Sequence, residues 1–335
     1  MGLLALDIGG ANLKAADGLG FAVSQFFPLW QRPNELAAAL SRLFAVAPAA
    51  ETLAITMTGE LADCFETKAQ GVRHILHHAR QAAGQRTVLV YLVDGSLVPS
   101  DAALREPLRA AAANWHALAR FAGRYCPTAG LLLDIGSTTS DLIPIIDGKP
   151  APAGHTDIER LATGELIYTG VQRSPVCAVV DALPWRSRRI PVAQELFATM
   201  RDVYLLLGDL PEGESDCHTA DGRPATQDAA HSRLARMICA DRDHFSREDA
   251  LIAAQAVARG QQSRLGLAAR AVSCRMSVPP TTMVLSGQGE FVGRRLVERL
   301  RLDAKIVSLA AELGDQVSQA APAHALAVFA REALN

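Results

Sequence analysis

The sequence LLALDIG at residues 3–9 returns as LLLDIG at residues 131–136, about 127 positions later. In both copies an apolar run predicts a buried strand, and the aspartate and glycine at its end predict a tight hairpin. An internal duplication of this kind indicates two related lobes built on one plan. Two lobes imply a cleft between them, which is where ligands commonly bind.

The elements that follow each copy define the expected domains. Short apolar strands alternate with helical stretches, including an alanine-rich helix predicted over residues 102–121, in the order β-β-β-α-β-α-β-α. We therefore expect an α/β fold with lobe I at residues 1–125 and lobe II at residues 126–314. Residues 150–225 are rich in proline, glycine and polar side chains, which predicts an insertion in lobe II. A final helix over about residues 315–335 is expected to pack back on lobe I.

Composition excludes several classes of function. Apolar residues make up 49% of the 335 residues and charged residues 20%, which is typical of a globular protein. A formal net charge of -2 disfavours a nucleic acid partner. No run approaches the ~20 apolar residues of a membrane span, so no membrane partner is expected. Six cysteines without a C-x-x-C pair favour a reduced, cytoplasmic location, whereas the oligomeric state is left open.

The first motif, hairpin 1, is DIGGANLK at residues 7–14. Glycine lets the backbone approach a phosphate closely, so Gly9 and Gly10 with Asn12 and Lys14 predict a phosphate-binding turn. Asp7 repels a phosphate unless a cation lies between them, and its expected role is therefore to bind catalytic Mg²⁺. The alternative is an ordinary hairpin with no ligand.

The second motif, hairpin 2, is DIGSTTSD at residues 134–141. Asp134 occupies the place that Asp7 has in hairpin 1, and we expect it to face the same Mg²⁺ as a second catalytic and metal-binding acid. The alternative is a polar hairpin whose hydroxyls bond their own backbone. The residues expected to bind phosphate are Gly136, Ser137, Thr138 and Thr139.

The third motif is VLSGQGEF at residues 284–291, a strand that runs into a glycine-rich turn and a helix. Such a turn presents N–H groups to an anion or a nucleoside at a helix N-terminus. We expect Gly287, Gln288 and Gly289 to contact phosphate in an adenosine-type motif. The alternative is an ordinary turn that only connects the strand to the helix.

Together, these motifs span residues 7–291 and resemble those of the actin-like superfamily, which contains acetate and sugar kinases, heat-shock ATPases and actin. The resemblance implies a two-lobe fold with a central cleft. It also implies a phosphorylated small molecule as the ligand, gripped between the hairpins of the two lobes.

A narrower resemblance rests on Ala11 and Asn12 and on the stretches 133–141 and 163–171, which are similar to hydantoinase/oxoprolinase-like proteins linked to tetrahydromethanopterin one-carbon metabolism. This resemblance implies a transferase of methanofuran biosynthesis. Such an enzyme joins an aminomethylfuran-methyl diphosphate to the phenol of γ-glutamyltyramine, forming an aryl-alkyl ether and releasing diphosphate.

Ala11 departs from the pattern of kinases, whose first hairpin usually carries a Ser or Thr hydroxyl at this position. ATP or another nucleotide is therefore disfavoured as a cofactor, although the same cradle suits a diphosphate leaving group. Two alternatives stay open at this stage: an ATP-dependent small-molecule kinase of the same fold, and a nonenzymatic nucleotide-gated binding module.

The predicted insertion supplies candidates for the acceptor side of the site. Either His218 or Asp221 is expected to remove the phenolic proton, and the alternative is a solvated loop. Further candidates are Glu165, Tyr168 and Asp209 for substrate contact and Arg173 for neutralising phosphate.

Overall fold

A computed structural model describes residues 2–301 and 303–334. The strands of lobe I are β1 (Leu3–Ile8), β2 (Asn12–Ala16), β3 (Ala22–Phe26), β4 (Thr52–Met57), β5 (Thr87–Tyr91) and β6 (Leu97–Pro99). They form one sheet in the order β3-β2-β1-β4-β5-β6, in which β1 runs antiparallel to β2 and parallel to β4. All six residues of β1 are buried, as expected of a strand covered on both faces.

The helices of lobe I are α1 (Leu36–Val46), α2 (Lys68–Ala83), α3 (Ser100–Arg105), α4 (Pro107–Ala110) and α5 (Asn114–Ala122). The prediction of a single helix over residues 102–121 is therefore wrong. Pro107 lacks a backbone N–H and starts a new helix instead of continuing α3. Ala112 then adopts a left-handed backbone with φ 48°, which separates α4 from α5.

Lobe II repeats this plan. Its strands are β7 (Ala129–Ile135), β8 (Ser140–Ile146), β9 (Lys149–Pro150), β10 (Leu166–Ile167), β11 (Ala182–Trp185), β12 (Arg188–Pro191), β13 (Thr282–Ser286) and β14 (Lys305–Ser308). The main sheet has the order β10-β8-β7-β13-β14, and β7 runs antiparallel to β8 and parallel to β13. The duplication read from the sequence is thus a duplication of sheet topology.

The helices of this lobe are α6 (Asp157–Thr163), α7 (Val176–Val179), α8 (Met200–Leu206), α9 (Gln227–Arg236), α10 (Arg247–Arg275) and α11 (Glu290–Leu300). Residues 150–225 do not form a separate loop region, because Val176, Leu183 and Tyr204 join the same buried core as Leu133 of β7. Within residues 2–301 and 303–334, no helix is long and apolar enough to cross a bilayer.

The C-terminal segment contains α12 (Leu309–Leu313), α13 (Asp315–Gln319) and α14 (Ala321–Leu334). The continuous helix expected from residue 315 is broken near residue 320, and α14 packs against β1 and α5. Leu326 shares a buried cluster with Leu3 of β1. Arg331 fixes the helix to lobe I, since its Nε donates to the Asp17 carbonyl at 2.7 Å.

Candidate functional site

A cavity of about 310 Å³ lies between the lobes, and both hairpins line it. It brings together most residues that the sequence marks for ligand binding. Those that line it are Asp7, Gly9, Gly10, Asn12, Lys14, Asp134, Gly136, Ser137, Thr138, Thr139, Tyr168 and Arg173.

In hairpin 1, Asp7 of β1 lies opposite Lys14 of β2, and Lys14 Nζ is 3.7 Å from Asp7 Oδ2. Asp7 is only 3% exposed, and its other carboxylate oxygen has no hydrogen-bond partner. Burial raises the pKa of Asp7, although the Lys14 ammonium opposes that rise. The hairpin itself is tight, because Gly9 donates its N–H to the Asn12 carbonyl at 2.9 Å.

In hairpin 2, Asp134 of β7 lies opposite Asp141 of β8. Burial raises the pKa of Asp134 to about 6, and the negative charge of Asp141 adds to the rise. Asp141 has its own counterion, because the buried guanidinium of Arg160 donates to its carboxylate. Asp134 also lines the cavity, but no arginine among the described residues forms a salt bridge with it.

The two acids from the two hairpins fit a divalent cation. Asp7 raises the pKa of Asp134 through space, so the two carboxylates are electrostatically coupled. Within the described residues no group of three or more His, Cys, Asp or Glu side chains converges. Mg²⁺ suits such a sparse set, because it commonly takes one or two carboxylates and completes its shell with water and phosphate oxygens. The unpartnered oxygen of Asp7 is the donor that such an ion needs.

The glycine-rich turn of the third motif lies behind hairpin 2 and outside the cavity lining. A Cβ on Gly287 would lie 2.7 Å from Asp134 Oδ1, and Gly289 packs against Ile135. Gln172 Nε2 donates to Gln288 Oε1 at 2.9 Å. The phosphate-binding role expected for Gly287, Gln288 and Gly289 stays a prediction; in this structure the turn packs behind Asp134 and lies outside the cavity lining.

Glu165 and Asp209, both expected to contact substrate, have structural partners instead. Glu165 is 1% exposed, and its carboxylate accepts the N–H groups of Ala153 at 2.7 Å and Gly154 at 3.0 Å. Asp209 accepts two hydrogen bonds from Arg295, at 2.7 and 2.5 Å. Neither residue is in the cavity lining.

The two candidates for the base, His218 and Asp221, also lie away from the cavity lining. His218 is exposed, and its ring packs 3.9 Å from that of Phe26. Asp221 accepts from buried Arg233 at 3.0 Å. Although burial acts in the opposite direction, the Arg223 N–H and the Arg233 guanidinium hold the pKa of Asp221 below its ordinary value. A paired, acidic carboxylate outside the cleft is not placed to take a proton from a ligand.

Tyr168 and Arg173 do line the cavity. Tyr168 is 59% exposed at its rim. The Arg173 guanidinium lies 4.6 Å from the centroid of the Trp30 ring, so it bridges lobe II and lobe I. Arg173 therefore contributes positive charge and a contact across the cleft.

Among the lining residues that were missed from the sequence are Glu60, Trp115 and Arg160. The Arg160 guanidinium lies 4.1 Å from the Trp115 ring centroid, and Arg160 Nε and Trp115 Nε1 are both buried without partners. Glu60 is 1% exposed and has one unpartnered oxygen. A signal for Glu60 was present in the sequence, because Thr58-Gly59-Glu60 follows β4 and so places an acid and a glycine at a strand end.

Sequence comparison identifies a family and relatives for this chain. The pattern of the family described as hydantoinase/oxoprolinase matches residues 51–332. The chain is 30% identical over 336 aligned residues to a protein of Methanocaldococcus jannaschii, covering 99% of this chain and 98% of that one. That protein is named (4-{4-(2-(gamma-L-glutamylamino)ethyl)phenoxymethyl}furan-2-yl)methanamine synthase. A protein of Methanococcus vannielii with the same name is 29% identical, covering 61% of this chain and 92% of that one.

Among solved structures, a PilM–PilN type IV pilus biogenesis complex is similar with a TM-score of 0.50 and 12% identity, covering 98% of this chain and 99% of that one. An archaeal actin homologue has a TM-score of 0.45 and 14% identity, covering 99% of this chain. The two-lobe actin-like fold expected from the motifs is confirmed. By its sequence pattern and its relatives, the chain belongs to the hydantoinase/oxoprolinase family.

Proposed function

We propose that this chain is a transferase of methanofuran biosynthesis that condenses an aminomethylfuran-methyl diphosphate with γ-glutamyltyramine. The products are an aryl-alkyl ether and diphosphate. The observation that carries the proposal is one cavity that holds two glycine hairpins, each beginning with an acid, in a chain related over its whole length to a named synthase. Asp7 and Asp134 are the two acids.

The cavity supplies the contacts that a diphosphate leaving group needs. Gly9 and Gly10 allow the backbone to approach its oxygens, and Thr138 and Thr139 offer hydroxyl donors from the other lobe. Lys14 contributes a positive charge beside Asp7. Stabilising charge that develops on a departing group is among the largest contributions to catalysis.

Asp7 and Asp134 would hold Mg²⁺, which when bound draws charge from the diphosphate as its C–O bond weakens. The remaining work belongs to the protein. Trp30 lines the same cavity and is only half-buried, so it offers an aromatic surface on which a furan or phenol ring can stack. Such a contact would help to hold the acceptor oxygen and the furan methylene carbon close together, which lowers the entropic part of the barrier.

The kinase alternative is disfavoured by two features of the chain. Ala11 offers no hydroxyl to a γ-phosphate in hairpin 1. The turn at Gly287, which would receive a nucleoside in a kinase of this type, packs on Asp134, and its Gln288 side chain accepts a hydrogen bond from Gln172. Both features favour a ligand whose charged end is a diphosphate without an adenosine.

The test is a reaction with Mg²⁺, the furan-methyl diphosphate and γ-glutamyltyramine in the absence of nucleotide. We expect mass spectrometry to detect the ether and an assay for diphosphate to detect an equal amount of that product. The matched control is Asp134→Asn, which removes the charge and keeps the shape of the side chain. If the ether forms only when ATP is added, and ADP accumulates with it, the kinase alternative replaces the transferase.

A further inference from the structure

Glu60 occupies a position in the cleft that the reaction described so far does not use. It lies in a 3₁₀ turn, Gly59–Leu61, directly after β4. The turn packs on hairpin 1, because a Cβ on Gly59 would lie 3.1 Å from the Gly9 backbone. On its other side, a Cβ on Gly71 of α2 would lie 2.7 Å from the Glu60 Cα. Two close glycine contacts therefore fix the backbone of Glu60 beside the diphosphate cradle.

The side chain of Glu60 is buried and lines the cavity, and its Oε2 has no hydrogen-bond partner among residues 2–301 and 303–334. Burying an ionised carboxylate in this way is costly unless the group is paired, hydrogen-bonded or protonated, so an unpartnered one calls for an explanation. The charged groups that face it are Asp157 of α6 and Lys68 of α2, which pair with each other across the cleft. The Ala112 N–H also favours the ionised form.

Burial raises the pKa of Glu60 to about 7; Asp157 adds to the rise, and Lys68 opposes it. A base with a pKa near the working pH combines a sizeable ionised fraction with a useful proton affinity. Other acids of the cavity are less suited to this task. Asp141 is paired with Arg160 and Asp157 with Lys68, Asp63 is exposed, and Asp7 and Asp134 are the candidate metal ligands.

We propose that Glu60 is the general base that takes the proton from the phenolic hydroxyl of the acceptor, an inference that rests on the proposed transfer reaction. The phenol O–H bond breaks, and its proton passes to a Glu60 carboxylate oxygen. The phenolic oxygen forms the new bond to the furan methylene carbon, while the bond from that carbon to the diphosphate oxygen breaks. Diphosphate leaves with the electron pair, and Glu60 returns its proton to water.

The experiment compares the wild type with Glu60→Gln and Glu60→Asp, and uses exposed Glu66→Gln as the matched control. We expect Glu60→Gln to lower kcat/KM by roughly 10²–10⁴-fold, the usual contribution of a positioned base. Glu60→Asp should retain part of the rate, and the control should retain all of it. In the pH profile of kcat/KM, the acid limb with an apparent pKa near 7 should disappear in Glu60→Gln.

Comparing acceptors of different acidity distinguishes a general base from a residue that has only a structural role. Fluorination lowers the pKa of a phenol from its ordinary value of about 10, so a fluorinated acceptor depends less on a base. We therefore expect the defect of Glu60→Gln to shrink at least roughly tenfold with the fluorinated acceptor. An equal defect with both phenols, or an unchanged acid limb, would overturn the assignment.

A second measurement does not require the transfer reaction. The fluorinated acceptor is bound in the presence of Mg²⁺ and inorganic diphosphate, and its ionisation is followed by ultraviolet absorbance. Above about pH 7, where Glu60 is ionised, we expect a smaller phenolate fraction in the wild type than in Glu60→Gln, because a carboxylate within proton-transfer distance repels the phenolate, whereas neutral Gln does not. If this difference is seen but no ether forms from the furan diphosphate, the proposed donor is wrong and the base assignment stands. If the two proteins ionise the phenol equally, the base assignment is wrong.

Discussion

Asp134 lies directly opposite Asp141 across hairpin 2, so two carboxylates share one face of the β7–β8 pair. Like charges in opposite positions of an antiparallel pair are destabilising, and a cation must offset them. Arg160 does so for Asp141, and its guanidinium also stacks on Trp115. Because the Arg160 guanidinium neutralises Asp141, Asp134 is the carboxylate of this pair that is available to bind a cation such as Mg²⁺.

The first prediction follows from this division of roles. Asp134→Asn should reduce turnover by roughly 10²-fold or more, because it removes a strong electrostatic contact from the transition state. Its melting temperature should stay within a few degrees of the wild type or rise, since a buried charge is lost. Asp141→Asn should instead lower the melting temperature, because it leaves Arg160 buried without its counterion.

Calorimetry and steady-state assays on the two variants check this prediction. A near-full rate for Asp134→Asn with unchanged melting would mean that hairpin 2 is structural. Equal melting losses in both variants would contradict the division of roles between Asp134 and Asp141.

A second prediction concerns the contact between Arg173 of lobe II and Trp30 of lobe I. If the cation–π contact holds the lobes together around a ligand, Trp30→Ala and Arg173→Ala should weaken diphosphate binding by amounts that do not add. The coupling energy expected for a partly exposed contact is about 0.5–1 kcal/mol.

Titration calorimetry of both single variants and the double variant gives that energy directly. Arg173→Lys is the informative control, because it keeps the charge and loses the planar stacking surface. Additive losses, together with full recovery in Arg173→Lys, would show that Arg173 acts through its charge alone.

Local patterns in the sequence were sufficient to predict the first strands of each lobe and the two hairpins, but not the order of strands in the sheets. A strand that ends in Asp-Ile-Gly has few structural options, so the copies at Asp7 and Asp134 could be identified without knowledge of their partners. The roles of the third turn could not be predicted in this way. Gln172 and Gln288 are 116 positions apart in the sequence, and only the folded chain brings Gln172 onto the turn.

The prediction of the residues that bind the acceptor was limited in the same way. His218 and Asp221 have suitable chemistry, but Asp221 is held by Arg233 of a helix that follows it, so its environment was not visible in its own segment. Glu60 was missed for the opposite reason. The acid and glycine after β4 were a weak signal, because many exposed turns carry the same residues, and burial of Glu60 against Gly71 of α2 is what distinguishes it from them.

The third prediction uses the burial of Glu60. Because its pKa is raised from 4.5 to about 7, the neutral form stabilises the folded state below about pH 4.5, and this stability is lost as the pH rises toward 7 and above. Glu60→Gln stays neutral throughout. The free energy of unfolding of the variant relative to the wild type should therefore increase by about 3 kcal/mol between pH 4.5 and pH 8, at ~1.4 kcal/mol per pKa unit.

Urea unfolding of both proteins across this pH range, without ligand or metal, measures the difference. Exposed Glu66→Gln should show no comparable change with pH. Parallel curves for wild type and Glu60→Gln would mean that Glu60 ionises with an ordinary pKa, and its role as a base near neutral pH would lose its physical basis.

The last prediction concerns Ala11, which lines the cavity in hairpin 1 and is 9% exposed. Its carbonyl accepts the Phe27 N–H at 2.9 Å, so the backbone at this position is fixed and a larger side chain has little freedom to move away. In a kinase, Ala11→Thr would restore a phosphate-binding hydroxyl and strengthen ATP binding by about 1 kcal/mol, the usual net value of one hydrogen bond. In a transferase adapted to a furan diphosphate, the added branch crowds the donor, and we expect a lower rate of ether formation with no gain in ATP affinity. Ala11→Ser is the matched control, because it adds the hydroxyl with one methyl group fewer and should lower the rate less than Ala11→Thr does.

Titration calorimetry with ATP and Mg²⁺, together with the ether assay on the wild type and both variants, decides between the two functions. Tighter ATP binding in both variants, with ADP produced when the acceptor is added, would establish the kinase in place of the transferase.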